Sequence, residues 1–194
     1  MEDVQRAVDL ILSLNPQLCV MQCTSAYPCP PEGESYNVFN LKVIEAYRKA
    51  FQDVVIGFSD HQSGIALGPT AVAYGAVVFE KHVTFDRTAK GTDHPFSLEP
   101  VGQRKYARDI ERAYEALGDG VKKRYPFEEK PLYKMAKSIT AAEDLIPGTK
   151  LETKHVMYQC PGDGLPPYRI DELIGRKVKR FVARETQLKM EDFE

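Results

Sequence analysis

The chain has 194 residues, of which 43% are hydrophobic and 28% charged, and its formal net charge is −2. This composition is typical of a globular protein that buries a core, which excludes disordered, collagen-like and low-complexity chains, and the near-neutral charge argues against a protein that coats nucleic acid. The length suits one domain of ordinary size with a small second one, but is short of the ~250 residues of a closed (β/α)8 barrel.

The first predicted element is an amphipathic helix over residues 2–14. Val4, Val8 and Ile11 recur at helical spacing, and Asn15-Pro16 ends the pattern. Charged residues interrupt the apolar ones, so neither a targeting segment nor a membrane span is predicted, and no membrane partner is expected. The 4 cysteines show no C-x-x-C spacing, which indicates reduced thiols and a cytoplasmic location.

Strand and helix patterns alternate in the next part of the chain. The apolar runs and the helical patterns that follow them lie at 18–22 and 41–51, at 54–58 and 65–75, and at 77–82 and 100–117. Short apolar runs separated by helices indicate parallel strands with helices packed on the sheet. The sequence therefore predicts an α/β fold with three strand-helix units.

The pattern changes after Gly118. A charged, proline-bracketed stretch over 122–134 is typical of a linker between domains. Beyond it, short strand-like pieces at 137–141, 155–159 and 178–182 are separated by turn signals, which predicts a small β-rich domain. We expect a first domain at 1–121, a linker at 122–134 and a second domain at 135–194.

Polar residues follow each of the three predicted strands. The clusters lie at 23–28, 59–64 and 80–82, and the carboxyl edge of a parallel sheet is where α/β proteins place their active sites. Adjacent strand ends are ~4.8 Å apart, so His61 and His82 can meet on one divalent cation. Two histidines leave coordination positions open, which suits a catalytic cation better than a structural one.

Each of these residues also has a structural interpretation. Histidines at strand ends are often only hydrogen-bonded, and Asp60 and Glu80 are either carboxylates that orient the imidazoles or plain surface charges. Thr24 and Ser25 either bind substrate or simply end a strand. The loop 84–97 is long and polar for a connection between strand and helix, which favours a functional role.

Five segments together resemble the sialic acid synthase family: QCTSAYP at 22–28, GFSDH at 57–61, EKH at 80–82, KGTDH at 90–94 and SLEP at 97–100. Residues 137–194 resemble the family's C-terminal antifreeze-like (SAF) domain, and the Leu14-Asn15-Pro16 segment with Cys19 resembles animal-type members. The resemblance implies a partial (β/α)8 barrel, made of its last three strand-helix units, followed by a small β-rich SAF domain.

The same resemblance implies an activity. Family members condense phosphoenolpyruvate with N-acetylmannosamine or its 6-phosphate on Mn²⁺ or Mg²⁺, and they release phosphate together with N-acetylneuraminate or its 9-phosphate. By position, the implied roles are metal ligands for His61 and His82, catalytic carboxylates for Glu80 and Asp93, and substrate contacts for Ser25, Tyr27, Ser59 and Asp93. The family also implies a homodimer in which the SAF domain lies near the partner's site.

The three units match only the end of the family's barrel, whose earlier strands carry phosphate-binding lysines and a further glutamate. We therefore expect this chain to be a fragment that is inactive alone. The alternative is a non-catalytic sugar- or protein-binding remnant with the SAF domain, and a weaker third possibility is an unrelated metal-dependent barrel enzyme.

An incomplete barrel should also leave part of its sheet uncovered. The predicted inner face contains Val20, Val55, Ile56, Val78 and Phe79, and three strands leave two unpaired edges. Exposed apolar surface drives association. We therefore expect the isolated chain to be poorly stable or to self-associate.

Overall fold

The computed structural model describes residues 1–27 and 29–194, so Pro28 of the QCTSAYP segment lies outside the described residues. The chain divides into two compact units, Met1–Val121 and Lys122–Glu194. Within the described ranges, no helix is both long and apolar enough to span a membrane.

The first unit alternates strands and helices. Its elements are α1 (Glu2–Leu12), β1 (Cys19–Cys23), α2 (Lys42–Ala50), β2 (Val55–Asp60), α3 (Leu67–Ala73), β3 (Val78–Lys81) and α4 (Pro100–Ala116), with short 3-10 helices at Tyr36–Phe39 and His94–Phe96. The strands form one parallel sheet in the order β1-β2-β3. The predicted α/β fold with a parallel sheet is confirmed.

Local sequence explains the bounds of the longest helix. Pro100 occupies the first turn of α4, where its fixed φ suits a helix and its missing N–H would be unpaired anyway. Gly118 adopts a φ of 60° just beyond the helix end, a conformation that glycine reaches without the steric cost of a Cβ.

One face of the sheet packs against the helices and forms the core. Phe58 at its centre is fully buried and belongs to a hydrophobic cluster with Ile44 of α2. Val20, Ile56 and Phe79 lie in or against the same cluster. Our assignment of these three residues to an open inner face is therefore wrong, because successive strand residues alternate between faces and Val20 pairs with Ile56, as Phe58 does with Phe79.

The opposite face carries the other residues of the alternation. Val55 is 46% exposed there, and Gly57 pairs with Met21 on one side and Val78 on the other. A Cβ on Gly57 would lie 2.7 Å from the Val78 carbonyl oxygen and 3.0 Å from Met21 Cγ, so only glycine fits this position. This is also the face that carries Ser59 of β2 and Glu80 of β3.

Close approach of α3 and α4 depends on a second glycine. A Cβ on Gly68 would lie 2.4 to 2.7 Å from the ring and hydroxyl of Tyr106, which is 2% exposed. We expect Gly68→Ala to lower the free energy of unfolding of the first unit by about 1–3 kcal/mol through overpacking, as measured by thermal unfolding.

The matched control is Gly102→Ala in α4. Its Cβ would lie at an ordinary contact distance of 3.4 Å from Leu98, so helix propensity predicts an unchanged or increased stability, by up to about 1 kcal/mol. Equal effects of the two substitutions would contradict the importance of the Gly68–Tyr106 approach.

The second unit is built around a short hairpin-like pair. Its regular elements are α5 (Glu129–Met135), β4 (Ser138–Ala141) and β5 (Val156–Gln159), with 3-10 helices at Pro126–Glu128, Thr153–His155, Pro167–Glu172 and Met190–Asp192. β4 and β5 pair antiparallel. Its core is made of apolar side chains from along the unit, among them Ile139, Leu145, Leu151, Leu173, Leu188 and Phe193.

Two expectations about this unit need correction. The predicted strand at 178–182 forms only isolated bridges, Val178 with Phe193 and Val182 with Leu145, because each residue meets a different partner and no ladder extends. The predicted linker is helical from Pro126 onward, since Glu128 accepts a hydrogen bond of 2.7 Å from the Tyr125 N–H and proline suits a first helical turn.

Residues 122–125 therefore form the part of the predicted linker without regular structure. We expect trypsin to cut native protein first at Lys122, Lys123 or Arg124, which are exposed, because proteolysis needs an accessible, locally open backbone. Mass spectrometry of the first fragments measures this. Initial cleavage at Lys134, inside α5, would show that the helix opens more readily than the segment before it.

Candidate functional site

Polar side chains from β2, from β3 and from the residues that follow these strands come together on the open face of the sheet. Ser59 and Glu80 are direct cross-strand neighbours, and the Ser59 hydroxyl donates a hydrogen bond of 2.7 Å to Glu80 Oε1. Two residues further along β2 and β3, His61 and His82 follow the last strand residues. Side chains two apart in a strand share a face, so the histidines extend the same row.

The two imidazoles are in contact. His61 Nδ1 lies 3.2 Å from His82 Nε2, and the ring centroids are 4.9 Å apart. Two nitrogens that bind one cation at ~2.1 Å lie roughly 3.0–3.4 Å apart for ordinary coordination angles. The structure thus brings the pair to a separation that suits one shared ion, and their role as metal ligands remains a prediction.

Further contacts join the pair to carboxylates on both sides. Ser59 Oγ lies 3.3 Å from His61 Nε2, and His82 Nδ1 lies 3.6 Å from Asp93 Oδ2. Together with the bond between Ser59 and Glu80, these contacts form one series: Glu80, Ser59, His61, His82, Asp93. Five of the residues predicted for the site lie in it.

Burial favours the neutral form of His61. The pKa of His61 is lowered, first by loss of solvent and then by the neighbouring His82, while Glu80 acts in the opposite direction. A neutral imidazole has the free lone pair that binds a metal. The direction of this shift therefore favours a neutral His61 ring.

An aromatic wall borders the histidines. The Tyr27 ring stands edge-on to His61 at a centroid distance of 5.1 Å and to His82 at 6.1 Å. Phe96 contacts both Tyr27, at 5.6 Å, and His82, at 5.3 Å. Tyr27 was predicted for the site and Phe96 was not, because the sequence offers no signal for Phe96 beyond its position in a long polar loop.

Main-chain hydrogen bonds hold the end of the loop 84–97 beside the end of β3. The Leu98 N–H donates to the His82 carbonyl oxygen and the Thr84 N–H to the Leu98 carbonyl oxygen, both at 2.9 Å. Thr84 Oγ1 also lies 2.7 Å from His94 Nδ1. These contacts close the loop 84–97 and hold Asp93 and Phe96 beside His82.

The other predicted residues after β1 lie outside the series. The Thr24 hydroxyl donates a hydrogen bond of 2.9 Å to the Val38 carbonyl oxygen, which favours the structural interpretation of Thr24. Ser25 is exposed in the loop, and its role in substrate binding remains a prediction.

Asp60 has a different role from either one expected. It lies on the helix-packed face, where its carboxylate Oδ1 is 3.3 Å from Lys81 Nζ in a fully buried ion pair. Burial raises the pKa of Asp60 and lowers that of Lys81, and the attraction between the two charges opposes both shifts. Asp60 therefore neither touches the imidazoles nor lies at the surface.

The donors at the site suit an open cation site. In residues 1–27 and 29–194, no cluster of three or more His, Cys, Asp and Glu side chains is arranged to hold a metal ion. The two imidazoles of His61 and His82 would thus supply nitrogen ligands, and water or substrate oxygens would fill the other positions. Imidazole nitrogens suit transition metals, whereas Mg²⁺ takes oxygen ligands, so the identity of a cation at this site remains a prediction.

Comparisons with known proteins identify the family of the chain. The model of the NeuB family matches residues 1–122. The human N-acetylneuraminate-9-phosphate synthase is 40% identical over 180 residues, which are 92% of this chain and 48% of the human protein. The N,N'-diacetyllegionaminic acid synthase of Campylobacter jejuni is 34% identical over 159 residues, 82% of this chain and 46% of that protein.

A solved structure is similar over the whole chain. The crystal structure of the spore coat polysaccharide biosynthesis protein SpsE from Bacillus subtilis superposes with a TM-score of 0.53 and 28% identity, and the match covers 100% of this chain and 58% of that one. The chain spans about half the length of the curated relatives it matches.

Proposed function

Because the chain belongs to the NeuB family, we propose that it forms the metal- and sugar-binding part of a sialic acid synthase site. The observation that carries the proposal is the series of contacts from Glu80 through the two histidines to Asp93. In this proposal the first unit is the last three strand-helix units of a (β/α)8 barrel, and the second unit is the SAF domain.

The proposed substrates are phosphoenolpyruvate and N-acetylmannosamine 6-phosphate. The phosphorylated sugar is favoured because the human relative, 40% identical, is named for the 9-phosphate product. In the reaction, C3 of phosphoenolpyruvate bonds to the sugar aldehyde carbon, and water adds to C2. The bond from C2 to the phosphate oxygen then breaks, which releases phosphate.

The chain's residues divide this work between them. His61 and His82 would hold Mn²⁺ or Mg²⁺, which when bound supplies Lewis-acid polarisation of the sugar carbonyl. Asp93, half-exposed beside His82, is placed to accept hydrogen bonds from sugar hydroxyls. Glu80 presents a carboxylate whose orientation the Ser59 hydroxyl sets, and this carboxylate can accept or donate the proton of a reacting group.

The surroundings of the site bind and shield the substrates. Tyr27 contacts both histidines and would exclude water from one side, while Ser25 would donate a hydrogen bond from the loop after β1. We further propose a cytoplasmic homodimer in which the second unit lies near the partner's site.

Mn²⁺ titration of the chain, followed by electron paramagnetic resonance, tests the proposal. We expect one Mn²⁺ per chain, and we expect His61→Ala to weaken binding by more than the ~10–100-fold that follows loss of a ligand's outer partner. The matched control is His155→Ala, since His155 belongs to the second unit and contacts Glu143 and the Glu152 N–H. Equal Mn²⁺ affinity of the two variants would refute the assignment.

A further inference from the structure

The last rung of the sheet before the two histidines is a buried ion pair. Asp60 and Lys81 are cross-strand neighbours at the ends of β2 and β3, and their side chains are 0% and 3% exposed. His61 and His82 are the next residues along each strand. We infer that this ion pair is a positioning device that sets the separation of the two imidazoles, an inference that rests on the proposed function, in which both bind one cation.

The ion pair ties down the main chain on both sides of His61. The Gln62 N–H donates a hydrogen bond of 3.0 Å to Asp60 Oδ1, the oxygen that also faces Lys81. Lys81 Nζ donates in addition to the Gln62 carbonyl oxygen. Sliding of one strand end along the other would break these bonds together. Asp60 and Gln62, which flank His61, are therefore held to Lys81, which precedes His82.

Packing from the helices keeps water away from the pair. The Tyr106 ring of α4 lies against Gly68 of α3, and Lys81 Nζ is 5.9 Å from the ring centroid. The buried Tyr106 hydroxyl is a further polar neighbour of the Asp60 carboxylate and favours its charged form. Lys81 is the cationic partner of Asp60, so removing either charge would leave the other uncompensated.

Stability alone does not account for such a pair. Burying two charges costs solvation that their attraction roughly offsets, and well-packed apolar residues often replace a buried pair without loss of stability. The preceding pair on the same face of the sheet, Phe58 with Phe79, is apolar and lies in or against the core. An ion pair with main-chain bonds differs from an apolar rung because it permits one geometry only. Replacing both charged residues therefore separates a role in positioning from a role in stability.

The test uses the 194-residue chain with the double substitution Asp60→Leu/Lys81→Met, which leaves no unpaired charge. We expect circular dichroism to show a folded protein. In the metal-free state, the nuclear Overhauser effect between the His61 and His82 rings should be lost, and Mn²⁺ affinity should fall by ~10–100-fold. The control is Lys49→Met, which removes the exposed ion pair with Glu45 at 2.8 Å and should change neither reading.

The metal-free reading separates this inference from the proposed function. If the wild-type chain shows the ring contact but binds no Mn²⁺, the proposed function fails, while the contact in the double variant still decides on positioning. If the double variant unfolds, two single variants decide the question. Lys81→Arg keeps the charge and should retain the contact between the His61 and His82 rings, whereas Lys81→Met should lose it. A folded double variant with the ring contact and an Mn²⁺ affinity within about twofold of wild type would overturn the inference, as would identical behaviour of the two single variants.

Discussion

We expect activity from a chimera in which this chain replaces the corresponding part of the human N-acetylneuraminate-9-phosphate synthase. The chimera should release phosphate from phosphoenolpyruvate and N-acetylmannosamine 6-phosphate. Glu80→Gln should lower the turnover of the chimera by ~10²–10⁴-fold. That range is the typical contribution of a general acid or base. Identity of 40% over 180 residues defines the exchange. Glu80 is accessible on the site face and hydrogen-bonded to Ser59, so its carboxylate can reach a substrate.

Glu99→Gln is the matched control for this substitution. Glu99 precedes α4 and is exposed, and among the described residues its carboxylate accepts one hydrogen bond, from the Arg87 N–H at 3.4 Å. Mn²⁺ binding should be unchanged in both variants, because neither removes an imidazole. Turnover of the Glu80→Gln chimera equal to that of the Glu99→Gln chimera would exclude Glu80 from the chemistry.

The chain by itself is expected to show no phosphate release from phosphoenolpyruvate with either sugar and Mn²⁺. Phosphoenolpyruvate carries a phosphate and a carboxylate, which need cationic partners. In the three described strands of the first unit, the one cationic side chain, Lys81, lies on the helix-packed face with Asp60. The site face instead presents Glu80, and Asp93 lies beside His82. A coupled phosphate assay measures the turnover.

The isolated chain is also expected to self-associate. Val55, Val77 and Phe85 are 46%, 60% and 94% exposed, and exposed apolar surface beside unpaired strand edges favours association. Size-exclusion chromatography with light scattering measures the mass. Val55→Thr should shift the population toward monomer, whereas Val101→Thr on α4, where Val101 is 55% exposed, should not. A monodisperse monomer that turns over substrate would contradict both expectations for the chain alone.

The sequence by itself determined the order of strands and helices in the first unit and the closeness of its two histidines. Apolar runs bounded by helical patterns located β1, β2 and β3 to within two residues at each end. Strand ends of a parallel sheet share one edge, so the positions of His61 and His82 directly after neighbouring strands predicted that the two rings lie close together, and they are 3.2 Å apart. Both conclusions depend on periodicity along a short stretch of chain, which a sequence contains in full.

Only the tertiary structure decided which residues meet across the faces of the sheet. Asp60 was expected to orient the imidazoles or to lie at the surface, but its pairing with Lys81 depends on the register of β2 against β3, which no local pattern specifies. The same holds for Phe96, which reaches His82 because Leu98 pairs with the end of β3. The bridges that replaced a strand at 178–182 also arise from partners distant in the chain. Such contacts depend on how the elements pack, so their geometry exists only in the folded chain.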